Sequence, residues 1–205
     1  MKVSRIGLLA VALVFAGAGI SKADAPLQLA LWPPVQLVPA ENPITGLRLN
    51  IYGRNSAMHG LDLGLLHETT GDFGGLGLGL SNREDGYMHG VQLSYGYIRI
   101  SGNAVGWVHG KVGVVHGDLC GLRTGWIGWL DGEVHGVQID AIYGRVGTHI
   151  SGVQFGLINR SASVKGLQMG LVNLTDQMAG VQIGLWNQID AKESWKVIPF
   201  VNAKF

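Results

Sequence analysis

The chain has 205 residues, with 15 basic and 14 acidic side chains, 33 glycines and one cysteine. The near balance of charge excludes a polybasic nucleic-acid surface, and the lone Cys120 excludes an intramolecular disulfide framework. The glycines are not spaced by three, so the chain is not collagen-like, and its 14% of charged residues with a positive mean hydropathy is low polarity for a soluble domain.

Lys2 and Arg5 open the chain, Ile6 to Ile20 follow without a charge, and Ser21-Lys22-Ala23 places small residues at −3 and −1 of a cut after Ala23. This three-part layout predicts a secretory signal peptide over 1–23. The apolar stretch is short for a helix crossing a bilayer. Residues 24–205 are then enough for a single domain.

The next element is the alternating segment Leu27-Gln28-Leu29-Ala30-Leu31, before Pro33-Pro34. A repeat follows, and it decides the fold class. Units begin at Gly46, Gly60, Gly75, Gly90, Gly106, Gly121, Gly136, Gly152, Gly166 and Gly180, spaced 14 to 16 residues apart. Turn-forming residues separate them, such as Thr70-Gly71-Asp72, Ser101-Gly102-Asn103 and Asp131-Gly132. No stripe of 3.6-residue period appears after the leader, so each unit reads as one strand plus a turn. A last alternating segment runs from Val197 to Phe205. Ten units and two flanking segments predict about twelve strands, all-β.

Side chains alternate across a strand, so each unit has two unlike faces. With the repeat glycine as position 0, positions +1, +3 and +5 are apolar: Leu61, Leu63 and Leu65; Leu76, Leu78 and Leu80; Val153, Phe155 and Leu157. The even face is small or polar. Position +2 carries Arg48, Asp62, Gln92, Arg123, Gln138, Gln154, Gln168 and Gln182, and position +4 is mostly Gly, with Asp140 in one unit.

Two architectures fit. The first is an antiparallel up-and-down β-barrel of about 12 short strands in an outer membrane, apolar residues toward lipid and the polar row in the lumen. The second is a soluble β-solenoid with one unit per coil, the apolar triplets stacked inside and identical Gln and Asn forming ladders. Apolar residues at −2 (Ile44, Met58, Met88, Val134, Ile150, Val164) sit on the Gly/Gln face, which suits the solenoid. The barrel is the leading expectation. In either case the residues expected to line a lumen or a binding face are Arg48, Asp62, Gln92, Arg123, Gln138, Asp140, Gln154, Gln168 and Gln182.

The units GVQFGLIN, GLQMGLVN and GVQIGLWN resemble the GLQIGLxN repeats of a family of bacterial surface-repeat proteins. The resemblance is strongest from Gly152 to Trp186 and extends back to Gly46; Ile198-Pro199-Phe200-Val201-Asn202 before Phe205 also resembles that family's C-terminus. It implies an exported cell-envelope protein of a diderm bacterium, at the outer membrane or cell surface, and carries no catalytic residues over.

The chemistry-bearing residues form no familiar set. His59, His89, His109, His116 and His135 each precede a Gly at repeat spacing rather than at zinc-motif spacing. Gly74 to Gly79 superficially suggests a phosphate loop, but the repeat accounts for these glycines and no Lys-Ser/Thr follows. No enzymatic activity, cofactor or metal is expected. The expected function is that of a small pore or structural envelope protein, or of a solenoid binding a partner along its Gln/Gly face.

Overall fold

A computed structural model describes residues 24–205; the leader expected over 1–23 lies outside them. The strands are β1 (Ala25–Trp32), β2 (Val35–Gln36), β3 (Ile44–Asn55), β4 (Met58–Thr69), β5 (Phe73–Glu84), β6 (Met88–Ile100), β7 (Ala104–Val115), β8 (Leu119–Leu130), β9 (Val134–Phe155), β10 (Ile158–Met169), β11 (Val172–Ile189) and β12 (Val197–Lys204). They form one sheet in the order β2-β1-β3, then in sequence to β12.

This is a β-solenoid, and the expected barrel is corrected on two counts. Strands β3 to β11 pair in parallel with their sequence neighbours, not antiparallel. The sheet is also open, ending on β2 and β12. The repeat glycines supply the physical reason. They stack in register, Gly60 on Gly75, Gly75 on Gly90, Gly166 on Gly180. All ten have φ between 124° and 154°, a conformation that L side chains rarely adopt. A Cβ on any of the nine from Gly60 onward would overlap the carbonyl oxygen of the repeat glycine one coil earlier. Only parallel, in-register coils bring these positions together.

A 14- to 16-residue coil makes two legs because its extended segment doubles back on itself. The first leg holds positions −2 to +4 and the second +6 to +9. Gln154, at +2, donates from Nε2 to the Gly144 carbonyl of the preceding coil's second leg at 3.0 Å, and its Oε1 accepts from Ser161, at +9, at 2.8 Å. The space between the legs is about one side chain wide, and this decides which face turns in. The Gly/Gln face closes; rows of Leu would hold the legs apart. The apolar triplets therefore lie outside, opposite to the expectation for a solenoid. The dry core is instead the −2 row, Ile44, Met58, Phe73, Met88, Ala104, Leu119, Val134, Ile150, Val164 and Met178, with Ile100, Val115, Leu130, Val146 and Ile189 from the second legs.

Both ends of the stack are closed, as repeat proteins require. At one end β2 folds back on β1, and Gln36 Nε2 donates to the carbonyls of Val38 and Arg54 at 2.7 and 3.0 Å. At the other, β12 runs antiparallel to β11, and buried Asn202 donates to the carbonyls of Asn187 and Lys196, both at 3.1 Å. All six prolines, Pro26, Pro33, Pro34, Pro39, Pro43 and Pro199, fall outside residues 44–198. Proline donates no ladder hydrogen bond, so it suits terminal strands and blunts an edge against further pairing.

Gly136→Ala should lower stability by at least about 2 kcal/mol, through its φ of 142° and the overlap with Gly121. Gly74→Ala should be far milder, because its Cβ would meet only the ring of exposed His59. Urea melts of the two variants check the contrast.

Candidate functional site

The nine residues expected to line a lumen or binding face are all buried in the interior, each at 0% exposure. A partner binding along the Gln/Gly face is therefore corrected: that face is the inside of the coil. The nine do not form one site. They fall into three interior clusters, the second and third joined where Gln138 Nε2 donates to Asp140 Oδ2 at 2.7 Å.

The first group joins Arg48 and Asp62. Arg48 Nε donates to Asp62 Oδ1 at 2.8 Å and Arg48 Nη2 to Oδ2 at 2.5 Å, a bidentate pair. His67 Nδ1 lies 2.5 Å from Oδ2 and Asn50 Nδ2 donates to Oδ1 at 3.1 Å. Burial would raise the Asp62 carboxyl, but hydrogen bonds from Arg48 and His67 outweigh it and hold the group below its ordinary value. Gln92 adjoins this group, donating from Nε2 to Glu84 Oε1 at 2.8 Å while its Oε1 accepts from Asn82. Burial pushes Glu84 well above the ordinary carboxylate range, against the opposing field of Arg48 and the hydrogen bond with Thr69.

The second group is Arg123 with Asp140, 3.2 Å apart and both fully buried. Burial raises Asp140 and lowers Arg123, each effect partly offset by the other's charge. Arg123 Nη2 also donates to the carbonyls of Gly110 and Ile127 at 3.2 and 3.0 Å.

The third group is a glutamine ladder. Gln182 donates to Gln168 at 2.8 Å, Gln168 to Gln154 at 2.7 Å, and Gln154 to Gln138 at 3.1 Å. Beside it runs an asparagine ladder from the +7 row in the opposite sense: Asn159 donates to Asn173 at 2.8 Å and Asn173 to Asn187 at 2.7 Å. Each Asn also donates to the carbonyl of the +4 glycine in its own coil, Gly156, Gly170 or Gly184.

Reading positions 0 to +5 does not find His67 and Glu84, because their rows, +7 and +9, lie on the second leg. The signal present in the sequence is the repeated Asn at +7. Among the histidines, His59, His89 and His135 lie exposed in the −1 row. Gly74 separates His59 from His89 in register, so the two stand two strand spacings apart. Among the described residues, no group of three or more His, Cys, Asp or Glu could hold a metal ion.

What the molecule presents to its surroundings is the face of the first legs. Across ten coils, positions +1, +3 and +5 are apolar or aromatic except for His109, Lys111 and Thr124, all in the two central coils. β1 extends the rows with Leu27, Leu29 and Leu31, and β12 with Val201 and Ala203. Leu65, Leu171 and Leu185 are 51%, 49% and 62% exposed. Ten coils at about 4.8 Å, each with a first leg about 20 Å long, make a face on the order of 900 Å². Monomeric proteins rarely expose an apolar patch beyond about 300–600 Å². At its C-terminal end the face is furrowed by a groove of about 640 Å³, lined by residues that include Phe155, Leu157, Leu171, Leu185 and Phe200.

Comparisons with protein-family models, with curated proteins and with solved structures find no match to this chain.

Two outcomes are expected from the interior. Gln168→Leu leaves one amide hydrogen of Gln182 unpaired and removes a donor from Gln154. It should cost about 1–3 kcal/mol in chemical denaturation. Exchanging Gln154, Gln168 and Gln182 together for Leu should abolish cooperative unfolding, because a row of Leu holds the legs apart and the carbonyls of Gly144, Leu174 and Gln188 lose their donors. The Glu84 carboxyl, raised in the folded state, contributes stability fully below its ordinary value and loses it as pH rises through the folded value. Glu84→Gln should therefore be more stable than the parent at neutral pH and lose that advantage in acid. Thermal melts across pH check it; an advantage that grows in acid would contradict the assignment.

Proposed function

We propose that this chain is an exported, non-enzymatic β-solenoid of the bacterial cell envelope, a rigid scaffold whose working surface is the apolar face of its first legs. The observation that carries this reading is the inversion of the coil: the polar residues seal the interior, and the greasy ones face outward in three rows. A stable fold does not require that arrangement of the outer rows. Leu65 and Leu171 are about half exposed, so replacing them by polar residues sacrifices little buried area. Apolar side chains kept in these rows through ten coils, at all but three positions, point to contact with something outside the fold.

Other features support the reading. The ion pairs Arg48–Asp62 and Arg123–Asp140 lie at 0% exposure. They balance one another rather than face a substrate. Strain at the repeat glycines serves coil stacking. The basic start and apolar run of residues 2–23 favour export, and the resemblance of Gly152 to Trp186 to surface-repeat proteins favours the envelope.

The folded protein should bind an environment-sensitive apolar dye such as anilinonaphthalene sulfonate. The double variant Leu65→Glu/Leu171→Glu should lose most of that binding while its far-UV circular dichroism stays the same. Fluorescence titration checks this; a parent protein that leaves the dye dark while fully folded would count against the docking role.

A further inference from the structure

We infer that the occupant of the apolar face is a lipid surface carrying anionic headgroups, on which the solenoid lies flat. The inference rests on the docking role proposed above and names its partner. Three observations favour lipid over a second copy of the chain or another protein.

The first is charge. No Asp or Glu occupies any of the positions −1, +1, +3 or +5 in the ten coils, whereas these rows hold Lys111, Lys165 and four histidines. Exposed acids gather instead at the turns between coils: Asp72, Asp118, Asp131 and Glu133. The face and its rim are apolar with basic points, which matches a bilayer interface with negative headgroups.

The second is the surroundings of Lys111. Its Nζ stands 3.8 Å from the centroid of the Tyr95 ring and 5.0 Å from that of Trp126. Trp107 lies in the same coil as Lys111, next to the coil of Tyr95, and its Nε1 donates to Thr124 Oγ1 at 2.9 Å. An ammonium held among amphipathic aromatics in an otherwise greasy face is the composition of a membrane interface. Two copies packed face to face would bury Lys111 with no carboxylate to pair with, because neither face has one. An unpaired buried charge is strongly unfavourable. Lipid phosphate supplies the missing partner.

The third is the backbone. Laying chain against a low-dielectric phase requires that its N–H and C=O groups be bonded already. In the first legs they are bonded through the parallel ladders of β3 to β11, closed by β1 and β12. Across the ten coils only side chains meet the lipid, and the C-terminal groove offers space between rows for an acyl chain.

The test is flotation. The full chain is expressed with its own N-terminal segment and purified in mild detergent. The detergent is then removed in the presence of vesicles of phosphatidylcholine alone or mixed with phosphatidylglycerol. The protein should float with the mixed vesicles and less with the neutral ones. Leu65→Glu/Leu171→Glu should remain at the bottom with unchanged circular dichroism. Lys111→Gln should lose about fivefold in preference for the anionic vesicles. Equal flotation with both lipids, unaffected by Lys111→Gln, would overturn the anionic element. A parent protein that stays at the bottom yet sediments as a dimer, broken by the double variant, would overturn lipid as the occupant and leave the docking role standing with a second copy in its place. A parent protein that neither floats nor associates would overturn both.

Discussion

Ten stacked glycines set the spacing on which everything else in this molecule depends. Each repeat glycine, at a φ that side chains avoid, lies against the carbonyl of the glycine one coil earlier. That contact fixes register: when Gly166 sits on Gly180, Gln168 must sit on Gln182 and Val164 on Met178. Glycine at +4 performs a related service at the corner, leaving room for the Asn at +7 to reach its carbonyl. Around positions +2 and +4 the legs come so close that small or flat polar side chains fill most of the gap, and bulkier apolar ones gather mainly around the −2 row. Amide ladders, apolar core and outward-facing leucines all follow from this narrowness.

The interior is not uniform along its length. In the last coils, neutral amides hand hydrogen bonds from one coil to the next. In the first coils, the Arg48–Asp62 ion pair, His67 and Glu84 form a cluster of ionisable groups whose members sit on different legs. An amide is satisfied by its own kind one strand spacing away, so the same residue can recur indefinitely. A charge needs its opposite, so Arg48 demands an Asp next to it and breaks the repetition. This is why the units from Gly152 onward read almost identically while the earlier ones diverge in sequence and keep the same backbone.

The all-β class and the position of each repeat glycine were legible from periodicity, because a side-chain period of two and a unit of 14 to 16 residues leave few alternatives; the total of twelve strands agrees because β2, which no unit predicts, offsets β9, which spans both Gly136 and Gly152. The sense of pairing was harder. Alternation looks the same whether neighbours run parallel or antiparallel, and the pattern Gly-Gln-Gly around +2 reads the same in both directions. The residues that break this symmetry are those at −2. Ile44, Met58 and Ile150 share a face with Gln and Gly, which suits a packed interior and not a wet lumen. Which face turns inward was hidden for another reason. Hydrophobicity ranks Leu61, Leu63 and Leu65 as core, but the volume available between two legs of one short coil ranks them outside. The nine polar residues chosen as a solvated face were correctly recognised as sharing one side of the sheet; their burial follows from packing geometry that no single strand reveals.

The two amide ladders run in opposite senses, glutamines donating toward the N-terminal end and asparagines toward the C-terminal end. Each therefore finishes on an acceptor that a further coil could engage, as at Gln182 Oε1 and Asn159 Oδ1, which have no partner. Nothing within the repeating section specifies how many coils there should be; the closing strands at the two ends do. Duplicating or deleting one 14-residue unit between Gly152 and Gly180 would conserve every lateral bond and change the molecule's length by a single strand spacing of about 4.8 Å. The architecture is in this sense a ruler, whose reach can be adjusted over evolutionary time by copying one short stretch of gene without redesigning any contact.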